Sequence, residues 1–241
     1  MRPPGCQQWF RVIEIIVAGR NRDKVEEIRR QLQGVAHVHH APSDISPEFE
    51  EGSGTSGDER GDGPTASDPL ERIARAKAAA WSRAMPRSAA GAMPLVVATD
   101  GGLLIPGLGP AWDPVRTRRF TGERTSRRER VGKLLSLAGQ LHGDDRRIGW
   151  REALAVAHDG EVRQSWVAES PPGLLASTVP TTMDGNDSFW VPLIWCCPEF
   201  GGKRLAALSS EERQAREDHW TVLGRQLREW MAQHPGCVVG C

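Results

Sequence analysis

Apolar residues along the chain follow two different periods. Arg11 to Ala18 is a β-branched apolar run and predicts a buried strand. The polar loop "GRNRD" follows. In "KVEEIRRQL", Val25, Ile28 and Leu32 then share one helical face, with charges on the others. A strand, a short loop and a helix N-terminus in this order present backbone N–H groups to an anion; an ordinary βα turn has the same pattern. "VAHVHH" predicts a second strand. "PLERIARAKAAAWSRAM" predicts a helix with Asp68 as its N-cap and Pro69 in its first turn.

In the second half, Leu95–Ala98 predicts a strand and Leu103–Ile105 another short one. Asp100 and two glycines stand between them, the sequence of a hairpin corner. Thr125 to Leu141 predicts a helix. "REALAVAHDGEVRQSWVA" predicts a hairpin turning at "HDGE", although its alternation is imperfect. "SFWVPLIW" predicts an edge or terminal strand interrupted by Pro192. "SSEERQAREDHWTVLGRQLREWM" predicts one long helix capped by Ser209 or Ser210. Between residues 50 and 68 the chain is rich in Gly, Ser and acid, and is expected to be a flexible loop. No repeat is visible. Helices and strands do not alternate as a doubly wound sheet requires, so the class is α/β with antiparallel hairpins.

Composition narrows the partners. The 241 residues carry 31 basic and 31 acidic side chains, a formal net charge of zero, which gives no general attraction to nucleic acid or to a membrane surface. No apolar run is long enough to span a bilayer. "VIEIIVAG" carries Glu14 and has no small-residue cleavage site, so it reads as a strand and not as a signal peptide. The five cysteines match no zinc spacing, which points to free thiols in a reducing cytoplasm. Only four of the 31 basic residues are lysines: Lys24, Lys77, Lys133 and Lys203. Where Arg is the routine cation, a lysine marks a place suited to a compact ammonium.

Several segments, in order, resemble the inosine triphosphate pyrophosphatase family, which acts on non-standard purine nucleoside triphosphates. "VAGRNRDKVEEI" is similar to its opening motif at Ala18, Asn21, Lys24, Glu27 and Ile28, with Gly19 replacing a hydroxyl residue. "DISPEF" resembles the segment with an acidic metal ligand, here Glu48. "ARAKAAA" resembles a lysine-bearing helix, with Ala74, Lys77 and Ala78 matching. "VVATDGGLLIPGL" resembles the Asp-Asp-Ser-Gly-Leu motif: its second Asp is Asp100, its first is Thr99, and its Ser is Gly101. "VRTRRFTGE" matches a further motif at Val115, Thr117, Arg119, Phe120 and Gly122. "KRLAALSSEER", with Lys203, resembles the entry to the last helix, and His219 lies near the family's Ser-His-Arg.

The resemblance runs from about Val12 to Leu227. It implies a mixed sheet with two lobes around a central cleft, formed by one α/β domain over residues 11–232, with an N-terminal extension at 1–10 and a C-terminal tail at 233–241. It also implies a cytoplasmic, homodimeric, Mg²⁺-dependent hydrolase that cuts nucleoside triphosphates into a monophosphate and pyrophosphate. Asn21, Lys24, Lys77, Arg119 and Lys203 would bind phosphates, Glu48 and Asp100 would hold the metal, and Asp100 would also activate water. Trp190 and His219 would lie at the base. Two departures fall there: Val191 replaces an Asp, and Trp220 replaces an Arg.

Other readings stand beside these. Asp100 can be a plain turn residue, Glu48 a solvated carboxylate, His219 a helix-surface residue, and Trp190, Trp195 and Trp220 core side chains. A nucleotide-binding regulator without turnover, or a pyrophosphatase for a modified pyrimidine nucleotide, fits the same motifs. The seven arginines from Arg116 to Arg130 suit a phosphate rim, an RNA patch or a solvated helix face. Nucleic acid is not the expected partner.

Overall fold

A computed structural model describes residues 13–19, 21–47, 68–87, 93–122, 125–181 and 189–235. Glu48, the loop up to residue 67 and the expected N-terminal extension lie outside the described residues, as does most of the expected tail.

The N-terminal half builds on β1 (Ile13–Val17), α1 (Arg22–Gln31), β2 (Ala36–His40), α2 (Pro69–Ala84) and β3 (Leu95–Leu104). The predicted Asp68 cap forms, and α1 has a cap of its own. Asn21 accepts from the N–H of Asp23 at the head of α1, and Asp68 accepts from Leu70 and Glu71 at the head of α2. After α3 (Arg127–Leu137), capped by a Ser126–Glu129 box, come β4 (Arg147–His158) and β5 (Glu161–Glu169). Asp159 and Gly160, both at positive φ, turn this hairpin where "HDGE" predicts it. β6 (Gly173–Leu175), β7 (Trp195–Cys197), β8 (Lys203–Arg204), α4 (Ser210–Ala215) and α5 (His219–Gln233) complete the fold.

The sheet is mixed. Its order is β2-β1-β3-β4-β6-β7-β8, with β5 also pairing β4. β1 is parallel to β2 and β3, and the remaining pairs are antiparallel. Alternation along β3 sorts its side chains between two cores. Leu95 and Val97 pack with Val25, Ile28, Leu223 and Leu227 of α1 and α5, and Val96 and Ala98 pack with Ala74, Ala78 and Trp81 of α2. A third core, rich in tryptophan, joins α3, β6, β7 and the start of β4.

Three expectations are corrected. "DGG" is not a hairpin corner, because β3 runs unbroken through Asp100 and pairs with β4 from Val96 to Leu104. The glycines serve close approach: a Cβ on Gly101 would overlap the Glu152 carboxylate, and one on Gly102 the Pro114 carbonyl. "SFWVPLIW" is not one strand; Val191–Leu193 is a 3₁₀ turn, consistent with a proline that cannot donate to a ladder, and only Trp195–Cys197 pairs. The long C-terminal helix is two. Arg216 leaves helical geometry to reach Cys197 Sγ and the Pro171 carbonyl, and Asp218 caps the second helix.

Candidate active site

The site begins where β1 stops. The register of β1 with β3 ends at Val17 and Val97, and the Ala18 N–H still reaches the Val97 carbonyl. β3 continues for seven more residues, held by β4 on its other side. Side chains partly satisfy the edge that β1 leaves. Thr117 Oγ1 accepts from the Leu103 N–H at 2.9 Å, and Trp112 Nε1 donates to the Leu103 carbonyl at 2.6 Å. Thr117 thus has a structural task within the "VRTRRF" motif.

Two ammonium groups come to the same stretch from helices on opposite faces of the sheet. Lys77 on α2 directs Nζ at the Thr99 carbonyl, 3.5 Å away, and passes beside Gly19 at the end of β1. A Cβ on Gly19 would press on that ammonium, and φ of 109° there favours glycine in any case. Lys24, in the first turn of α1, donates Nζ to Glu152 Oε1 at 2.6 Å. Glu152 faces Gly101 across the β3–β4 ladder. Asp100 is therefore the residue between the two lysine sites, half-buried, with its side chain on the α2 face.

Sequence reasoning missed Glu152. It is 0% exposed and accepts a second hydrogen bond from Trp150 Nε1 at 3.0 Å. Burial alone would raise its pKa. The charges of Lys24 and His219, with the hydrogen bonds from Lys24 and Trp150, outweigh burial and hold it below the ordinary carboxylate range. Its signal in the sequence is the acidic residue that spoils the alternation of "REALAVA".

His219 opens α5 and shares a 2.7 Å hydrogen bond between Nδ1 and Ser170 Oγ. Its ring lies 6.3 Å from that of Trp150 and 5.1 Å from that of Trp220. Burial pushes its pKa down; the acids Glu152 and Asp218 oppose this, while Lys24 and Arg216 add to it. Trp150 also meets Phe189 edge-on at 5.1 Å, and Phe189 is 41% exposed.

Lys203 and Trp190, also singled out in the sequence, have partners outside this group. Lys203 on β8 pairs with Glu212 on α4 at 2.6 Å. Arg119 is exposed in the turn after the 3₁₀ segment Pro114–Arg116. Trp190 is 2% exposed and packs against Phe120, which packs against Trp112. Its ring is a core element, and Val191 beside it is buried at 1%. Within the arginine run, Arg130 is buried on Thr121 and Thr125, Arg128 reaches the Thr181 carbonyl, and Arg116 pairs with Asp113.

A divalent cation fits what is present. Among the described residues no three His, Cys, Asp or Glu side chains gather into a metal cluster. A Mg²⁺ bound mainly by substrate phosphates and water needs only one or two protein carboxylates. Asp100, half-buried at the β3 edge, is a carboxylate of the kind such an ion uses.

Comparison with known proteins bears on the whole arrangement. A HAM1 protein from Coxiella burnetii superposes with a TM-score of 0.64 at 19% identity, over 92% of this chain and 100% of that one. The Ham1 protein of Staphylococcus aureus gives 0.64 at 21%, over 92% and 99%. A nucleoside-triphosphatase, a dITP/XTP pyrophosphatase, from Mycobacterium abscessus gives 0.58 at 23%, over 91% and 99%. A search of curated protein sequences gives no match. The profile of the Ham1 family matches residues 15–230, from the first strand through the last helix and across every element of the site, and the chain belongs to that family.

Proposed function

We propose that the chain hydrolyses a nucleoside triphosphate between its α and β phosphates, releasing a monophosphate and pyrophosphate. One observation carries this reading: on three successive residues of β3, Lys77 reaches Thr99, Asp100 follows, and the Lys24–Glu152 pair lies against Gly101. Polyphosphate chemistry needs that combination, two cations for the charge and one carboxylate for the water.

The roles follow from position. The capped N-terminus of α1, with Asn21 and Lys24, and Lys77 from the opposite face would take the phosphates. Asp100 would orient the attacking water and accept its proton. The water oxygen adds to one phosphorus of the α–β bridge, and the bridging oxygen leaves with the other. Asp100 would also hold Mg²⁺, together with Glu48 outside the described residues. Bound there, the metal would neutralise phosphate charge. Lys203 and Arg119 belong to the outer approach, and His219, beside Trp150 and Phe189, to the base.

The dITP/XTP pyrophosphatase among the similar structures supports a purine triphosphate as the substrate class. No helix among the described residues is long and apolar enough to cross a membrane. A cytoplasmic setting and a homodimer complete the proposal. The test is a panel of purine and pyrimidine triphosphates with and without Mg²⁺, reading out pyrophosphate. Pyrophosphate release that a chelator abolishes is expected. Tight nucleotide retention with no release would instead identify a binding regulator.

A further inference from the structure

Glu152 is the one fully buried carboxylate among the described residues. It stands in the middle of β4, where the next two residues on its face, Leu154 and Val156, are core. An anion in such a place is costly without compensation. The chain compensates it from three directions. Gly101 opposite leaves room for the carboxylate. Trp150 donates to Oε2 and Lys24 to Oε1. The Lys24 side chain is 22% exposed and that of Glu152 only 1%, so the ammonium stands between the buried anion and the open edge of β3. An ammonium has three donors, and one goes to Glu152.

We propose that Glu152 is the positioning residue of the phosphate subsite, holding Lys24 so that its other donors face the polyphosphate. The proposal rests on the nucleotide reading above. A lysine that is already held has given up the freedom of its four-carbon stem before the ligand arrives. A lysine–carboxylate pair aims an ammonium at phosphates in protein kinases in the same way. The charge of Glu152 also repels an incoming anion, so the sign of the measured change decides which effect wins.

Glu152→Gln is the decisive variant. Glutamine keeps the shape but puts an NH2 group in place of one carboxylate oxygen, and since Lys24 and Trp150 donate to different oxygens, only one of them keeps its acceptor. KM for the triphosphate and Kd for inorganic triphosphate should each rise about tenfold, with kcat within about threefold. Trp150→Phe removes one anchor and should move both constants the same way by less. In a Lys24→Met background, Glu152→Gln should change neither by more than about twofold, because the group it positions is gone. Binding of inorganic triphosphate, read by calorimetry, does not depend on turnover. A wild-type chain that releases pyrophosphate from no nucleotide would refute the enzymatic reading, and binding would still decide the role of Glu152. Unchanged or tighter binding by folded Glu152→Gln overturns the proposal, as does an undiminished loss in the Lys24→Met background. Thermal unfolding checks each fold. If Glu152→Gln does not fold, Trp150→Phe carries the same test, and wild-type binding by that variant overturns the proposal.

Discussion

The β3 edge and the tryptophan-rich end are built by different means. At the edge, charged side chains project from long elements: Lys24 from α1, Lys77 from α2, Asp100 from β3 and Glu152 from β4. At the other end, Trp112, Phe120 and Trp190 pack through turns and 3₁₀ segments, and no ion pair joins them. The first arrangement fixes charge to within a hydrogen-bond length and suits chemistry on a phosphate chain. The second fixes shape by filling a core, and leaves the ring of Phe189, against Trp150, as its exposed apolar face.

If catalysis belongs to the edge, one carboxylate there should outweigh anything done at the aromatic end. Asp100→Asn keeps the shape and removes the charge. It should lower turnover by about a hundredfold or more, as for an essential acid–base group, with thermal unfolding unchanged. Near-normal pyrophosphate release by the folded variant would break the comparison at its strongest point.

Lys24→Arg tests whether the edge needs a point charge. An arginine can still pair with Glu152, so the fold should hold, but its rigid fork aims its donors differently. A loss in kcat/KM of about tenfold is expected, against no more than about twofold for Lys133→Arg on α3, measured on the same nucleotide. Equal tolerance at both positions would remove the significance of lysine scarcity.

The aromatic end should discriminate weakly. Val191 is buried where the resembling motif has an Asp, and Trp220 lies against His219. An apolar stacking surface separates analogues much less than a hydrogen-bonding one. Inosine and adenosine triphosphates should therefore differ in kcat/KM by no more than about tenfold, or about 1.4 kcal/mol. A preference of roughly a thousandfold, the range of a hydrogen-bonding site, would show a polar reader at this end and reverse the contrast.

The smallest effect concerns His219, which lies between the two regions. Its folded pKa is depressed from the ordinary 6.5, chiefly by burial. The unfolded chain therefore binds more protons at mildly acid pH. The stability linked to the neutral imidazole is complete above about 6.5 and is lost as pH falls through the folded value. Between pH 7.5 and 5.5 the wild-type Tm should fall a few degrees further than that of His219→Gln, on the scale of about 1 kcal/mol. Parallel melting curves for the two proteins would remove His219 as the cause.

The sequence made the edge more legible than the aromatic end. The Asp68 cap, the helix it opens and the apolar face of α1 obey local rules, and the structure keeps them. Asp100 was visible only through its neighbouring motifs, because its two glycines imitate a turn. What keeps that backbone extended is remote: the Glu152 carboxylate and the Pro114 carbonyl. The break at Arg216 is equally non-local, since its partners lie on Cys197 and Pro171. Glu152 carries no motif at all, and its meaning exists only once β4 lies beside β3. Phe189 and Ser170 likewise gain their neighbours only from tertiary packing.

The Lys24–Glu152 contact joins residues 128 positions apart. At about 5–20 residues per second, a ribosome makes Lys24 about 6 to 26 s before it makes Glu152. Throughout that interval the first βα unit can fold locally while its lysine has no carboxylate to hold. His219 emerges later still, with the last helix. A nascent chain, or one truncated before β4, thus carries the opening motif without the pair that completes the edge. Activity in a growing population of chains should switch on with the synthesis of the C-terminal half and not rise in proportion to length.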